Sequence, residues 1–151
     1  MSQDHSAEQL GGLFSQCLDM LSQALPAAVA AKEPLIPGGL ILREHAGNTT
    51  SLEPFVAPEL AGSGDADTAE RLFDVVAAEL EGLVGGVVFH AARHQSLGTV
   101  VILEGEHAEG RTLAFALPYE VKRSFMKPPT VEFGELVTLE QPMFRFADLL
   151  L

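Results

Sequence analysis

Residues 87–117 read VVFHAARHQSLGTVVILEGEHAEGRTLAFAL. β-branched and aromatic side chains crowd Val87–His94, Thr99–Glu104 and Arg111–Leu117, with polar and glycine-bearing breaks between them. That pattern predicts three consecutive strands joined by short loops, which makes them antiparallel neighbours. Loop lengths suggest a register in which His94 faces Thr99, Ala91 faces Ile102 and Phe89 faces Glu104. Across the next pair, Glu104 faces Arg111, Ile102 faces Leu113 and Val100 faces Phe115. An opposite-charge pair such as Glu104 with Arg111 supports a sheet.

This register sorts side chains by size. One face carries Val87, Phe89, Ala91, Val100, Ile102, Leu113, Phe115 and Leu117, as expected where helices cover a sheet. The other carries Val88, His90, Ala92, Val101, Leu103, Thr112, Ala114 and Ala116, which are mostly small and mildly apolar. A solvated face would carry charges there. Two explanations fit: a surface for a partner, most simply a two-fold homodimer, or burial under other parts of the same chain. The candidate interface residues are Val88, His90, Ala92, Val101, Leu103 and Ala114.

Upstream, Leu10, Leu13, Phe14, Cys17, Leu18, Leu21 and Leu25 recur every three or four residues, an amphipathic helix. Ser6 with Gln9 is a capping-box pattern, and Pro26 is expected to end or kink the helix, with Ala27–Ala31 able to add a further turn. Leu40–His45 and Thr50–Val56 read as two strands around an Ala46–Thr49 turn, with Pro54 restricting the second to an edge. Asp67 and Glu70 read as the cap of a second helix with Leu72, Phe73, Val76, Leu80 and Leu83 as its buried stripe, stopped by Gly85-Gly86. Its acidic side, Asp67, Glu70, Asp74 and Glu81, reads as a solvated face. Residues 119–130 read as an irregular loop. Val131, Phe133, Val137 and Leu139 alternate with polar residues as a strand broken at Glu135 and Leu136. Residues 143–151 form a short apolar tail.

The expected architecture is α+β: an antiparallel sheet of about five strands with two main helices on one face, ordered α-β-β-α-β-β-β(-β), in a single domain. This order is similar to that of roadblock and profilin-like domains. The likeness lies in element order alone and carries over neither function nor residue.

The 151 residues carry a net charge of −12. That opposes nucleic-acid binding, which needs cations against phosphate, and opposes an anionic membrane surface. A lone cysteine, Cys17, permits no internal disulfide and reads as a small core residue. No signal-peptide pattern and no long apolar run are present, so the expected setting is the cytoplasm.

The chemistry-bearing residues form no familiar constellation. Neither Ser96 nor Ser124 sits in a nucleophile turn, and His90 and His94 stand too far apart along a strand to share a metal. Phosphate-loop and calcium-loop patterns are missing, so neither metal nor cofactor is expected. One local feature stands out: Lys122, Arg123 and Lys127, beside Tyr119 and Phe125, place three of the nine basic residues in six positions. Tyr119, Lys122, Arg123 and Lys127 form a candidate anion-binding loop.

Three functions follow as expectations. The first is a non-enzymatic interaction module that self-associates or docks a partner through one sheet face. The second is a small-molecule or anion binder, or a modest enzyme, using residues 119–127. The third is an inhibitor of a basic target, relying on charge.

Overall fold

The computed structural model describes residues 2–46, 49–60, 68, 71–72, 74–76, 78 and 81–139. Helix α1 spans Ser2–Ala31. Leu10, Leu13, Phe14, Cys17, Leu21 and Leu25 form its buried stripe, as their spacing predicts. The helix does not stop at Pro26. A proline inside a helix costs about 3 kcal/mol, and burial of Leu25 with half-buried Val29 against the sheet opposes that loss. The end comes at Lys32, which adopts φ 59°. There the Lys32 amide donates to Val29 O and the Glu33 amide to Ala28 O, a Schellman closure. Ser6 and Gln9 lie inside the helix rather than at its cap: Ser6 Oγ accepts from Arg111 Nε at 3.3 Å, and Gln9 Oε1 meets His107 Nε2 at 2.7 Å.

The strands are β1 (Gly38–His45), β2 (Thr49–Val56), β3 (Leu83–His94), β4 (Gly98–His107), β5 (Thr112–Ser124), β6 (Lys127–Phe133) and β7 (Val137–Leu139). They form one curled antiparallel sheet in the order β2-β1-β3-β4-β5-β6, with β7 also paired to β5. Pro54 lies on edge strand β2, as expected.

The register differs from the expected one. Ala91 pairs with Val101, Phe89 with Leu103 and Val88 with Glu104. The β3–β4 turn is one residue tighter than expected. Gly98, at φ 76°, belongs to the strand pair opposite His94, leaving Gln95–Leu97 as the loop. A one-residue slip exchanges the faces of the whole strand. The β4–β5 ladder is offset as well: Glu104 pairs with Ala114 and Leu103 with Phe115, because β4 continues to His107. Glu104 therefore faces Ala114 in the ladder and not Arg111. The two slips cancel across β5, so Leu113, Phe115 and Leu117 stay on the face of Val87 and Phe89. Only β4 is inverted.

α1 covers this face, packing on Leu40, Leu42, Val87, Phe89, Val101, Leu103 and Leu117. The Phe14 ring meets Phe115 edge-on, at 5.0 Å between centroids and 88° between planes. Gly105 makes room for Phe14, since a Cβ there would stand 2.7 Å from the ring.

The opposite face has a core of its own: Ile41, Ala57, Leu60, Leu72, Val76, Leu83 and Val88. Leu72 and Val76 belong to helical residues 71–72 and 74–76. The two helical parts therefore lie on opposite faces of the sheet, not on one. The sequence signal was the unbroken buried run Val87-Val88-Phe89, which marks a strand covered on both sides. Gly85 and Gly86 sit within β3 and do not stop a helix; Leu83 likewise belongs to the strand. The break falls at Gly82, at φ 72°, whose carbonyl accepts from the Glu44 amide at 2.7 Å. Asp67, Glu70, Phe73 and Leu80 lie outside the described residues, as does the tail 143–151.

Residues 119–130 are not an irregular loop. β5 runs to Ser124, Phe125 and Met126 make a tight turn with Met126 at φ 63°, and β6 returns from Lys127. Pro128 and Pro129 are tolerated because β6 pairs on one side only. Downstream, the interruption between Phe133 and Val137 separates β6 from β7 along the same edge of β5. Among the described residues no helix is long and apolar enough to cross a membrane.

Candidate functional site

The six candidate interface residues do not share a surface. Val101 and Leu103 lie under α1. Val88, His90 and Ala114 are buried on the opposite face, and Ala92 is half-buried there. The inverted β4 brings Glu104 and Glu106 to that opposite face, both buried and neither without a partner. Small residues on this face reflect close cover by the same chain rather than an open docking plane.

His94 and His107 serve local structure. His94 Nδ1 accepts from the Ser96 and Leu97 amides at 3.1 and 3.3 Å and closes the β3–β4 turn. His107 is buried, and its Nδ1 accepts from the Glu109 amide at 3.1 Å. The proton then sits on Nε2, which donates to Gln9 Oε1 and latches α1 to the β4–β5 turn. His90 Nδ1 lies 3.3 Å from Ala91 O. No cluster able to hold a metal occurs among the described residues.

Burial pushes the Cys17 thiol up to about 12. At neutral pH it is a thiol within the core, unsuited to attack.

One pairing escaped the sequence reading. His45 Nε2 lies 2.7 Å from Ser51 Oγ, and Ser51 Oγ donates to Glu53 Oε2 at 3.1 Å. Cross-strand register creates it: His45 pairs with Thr49 and Arg43 with Ser51. The arrangement resembles a nucleophile with its base, but the hydroxyl proton points to Glu53, so the imidazole donates to Ser51 and does not activate it. The acid also stands beyond the serine, where it does not orient the histidine. The group is a polar ladder that ends on Arg43. Arg43 Nε contacts both Glu53 oxygens at 3.2 and 3.1 Å, and its Nη1 donates to Glu81 O.

The hydrogen bond from Arg43 holds the Glu53 carboxyl below its ordinary range. A lowered folded-state value stabilises above the ordinary pKa of about 4.3, and the gain is lost as pH falls through the folded value. Glu53→Gln should therefore weaken the fold at pH 7 more than at pH 3. Urea unfolding at both values checks this; an equal deficit at the two would show that the charge contributes nothing.

A cavity of about 280 Å³ lies where β3 outruns the start of β1. Its apolar walls include Leu25, Val29, Leu35 and Leu60, and its polar lining is Glu33, Thr68, His90 and Tyr119. Burial raises the Tyr119 phenol above its ordinary value, so it remains a donor at neutral pH. A second hollow, an apolar groove of about 320 Å³, runs between α1 and residues 33–36.

The anion-binding set does not converge. Tyr119 packs against the α1-side core at the base of the β5–β6 hairpin, while Lys122, Arg123 and Lys127 are spread along its exposed outer part. Lys122 Nζ contacts Glu120 at 3.0 Å and Glu132 at 3.9 Å, and the Glu120 hydrogen bond raises its pKa. Arg123 and Lys127 have no ion-pair partner among the described residues. Between them, Phe125 is 92% and Met126 88% exposed. From Glu120 to Pro128 every residue is exposed, so both faces of this part of the hairpin are wet. It is an arm that the sequence reading missed, because prolines and charges masked the strand alternation.

No protein-family model, curated protein or solved structure matches this chain.

Proposed function

We propose that this chain is a non-enzymatic protein-interaction module that engages its partner through the β5–β6 arm. The observation that carries this reading is the nearly complete exposure of Phe125 and Met126 at the arm's tip. Large apolar side chains held together in water by an ordered turn are a usual mark of a docking surface. Aromatic and methionine side chains are also enriched where proteins meet. Arg123 and Lys127 flank them, which suits an acidic partner surface. A cytoplasmic setting belongs to the same proposal, as does kinship with roadblock and profilin-like domains, suggested by element order alone.

Photo-cross-linking tests the reading. A photoreactive residue at position 125 should give one discrete adduct in cells, and the same residue at exposed Thr49 or Glu59 should not. Equal, diffuse labelling from all three positions would remove the arm from consideration.

A second reading rests on the cavity lined by His90, Tyr119 and Glu33. Few polar groups in an apolar hollow is the usual build of a small-ligand site. With no lysine or arginine among the described residues of its lining, the cavity suits a neutral or cationic molecule rather than an anion. A ligand would raise the melting temperature by mass action. A metabolite screen that shifts nothing, or a shift that survives Leu25→Trp, removes this reading.

A further inference from the structure

We infer that the arm's occupant is a second copy of this chain, with Phe125 and Met126 of one protomer seated in the apolar groove between α1 and residues 33–36 of the other. The inference rests on the arm reading above and names its partner.

The groove is walled by Met20, Ala24, Ala28, Ile36, Val56 and Phe89. Ile36 is 42% and Val56 61% exposed, so an apolar rim continues outward from it. Among the described residues the hairpin tip and this groove are thus two apolar features in water, one convex and one concave. A volume of about 320 Å³ is near the lower end of ligand-sized pockets. That suits one or two side chains better than a large cofactor.

Charge favours a like partner. The arm tip holds three of the nine bases, of which Lys122 is paired with Glu120 and Glu132 beside it, while Arg123 and Lys127 have no ion-pair partner among the described residues. The rest of the chain therefore sets six bases against all 21 acids. Any second copy presents an acidic body to a basic tip, and Glu33 lines the groove itself. Complementary potentials of this kind steer encounter and fix orientation. Because each copy carries both tip and groove, one two-fold rotation would satisfy both contacts at once, the commonest way for identical chains to close.

The test uses the full chain. Light scattering or sedimentation should show a concentration-dependent dimer. Phe125→Asp with Met126→Asp, and separately Ile36→Asp with Val56→Asp, should each weaken it at least about 30-fold. All four side chains are exposed, so unchanged melting temperatures would confirm that both variants fold. A photoreactive residue at position 125 should form cross-links between protomers to residues 20–36, read by mass spectrometry on mixed light and heavy chains. A wild-type chain that stays monomeric at its highest soluble concentration overturns the inference. So does a groove variant that dimerises normally. If the chain is monomeric while position 125 still gives a discrete adduct in cells, the partner is another protein and the arm reading stands. If position 125 labels nothing discrete, both fall.

Discussion

Replacing Gly39 by alanine is expected to cost the fold about 3 kcal/mol or more, among the largest effects of any single methyl group added to this chain. Gly39 sits in β1 between Phe55 of β2 and Val88 of β3. A Cβ there would stand well inside contact distance of the Val87 carbonyl oxygen and 2.8 Å from the Phe55 ring. The ring can turn aside, but the carbonyl belongs to the central strand of the sheet, so relief requires moving β1 away from β3. Gly12→Ala supplies the contrast. A Cβ there meets nothing within 4 Å. Within an exposed stretch of α1 that change should stabilise by up to about 1 kcal/mol. Urea unfolding of the two variants beside the wild type measures both signs. A Gly39→Ala protein as stable as the parent would mean that the β1–β3 approach is looser than described.

Val101→Asp is expected to be equally severe, and it reports directly on the direction in which β4 faces. Val101 is 0% exposed and packs in the core beneath α1. A carboxylate there would be desolvated among leucines and phenylalanines, with a cost of several kcal/mol or a forced protonation. Its neighbour Ile102 points to the other face and is only half-buried. Ile102→Asp should therefore cost clearly less. The order would reverse if β4 held the register expected from loop lengths alone. Thermal or urea unfolding of the pair decides it: a well-folded Val101→Asp beside an unfolded Ile102→Asp would reject the inverted strand. These variants speak to stability rather than to partner binding, because a buried Val101 is not available to a partner.

The candidate site was less legible than the fold. The cluster of Lys122, Arg123 and Lys127 beside Tyr119 and Phe125 is plain in the sequence. Its reading as a loop failed because Pro128-Pro129 argues against a strand in general, yet not against an edge strand with one free side. The difference between loop and hairpin changes the chemistry. A loop can fold its cations around an anion. An extended strand turns Lys122 and Arg123 to opposite faces and leaves Phe125 and Met126 at the tip. The His45–Ser51–Glu53 ladder was illegible for another reason: it exists only through cross-strand register.

Local pattern by itself determined the elements that repeat every 3.6 or every two residues. The α1 stripe from Leu10 to Leu25, the strands around Val87, Ile102 and Phe115, and the edge placement of Pro54 were all read from spacing. Such periodicity reports which side of one element is apolar, and burial then enforces it. The relation between elements was decided only by tertiary structure. Gly98 entering the strand pair opposite His94 shortened one turn by a residue and inverted β4. Leu72 and Val76 packed on Val88 rather than beside α1. Periodicity is unchanged by a one-residue slip or by an exchange of faces, so no single segment contains that information. It resides in how closely backbones pass at Gly39, in the room that Gly105 leaves for the Phe14 ring, and in which side chains are left with space to fill.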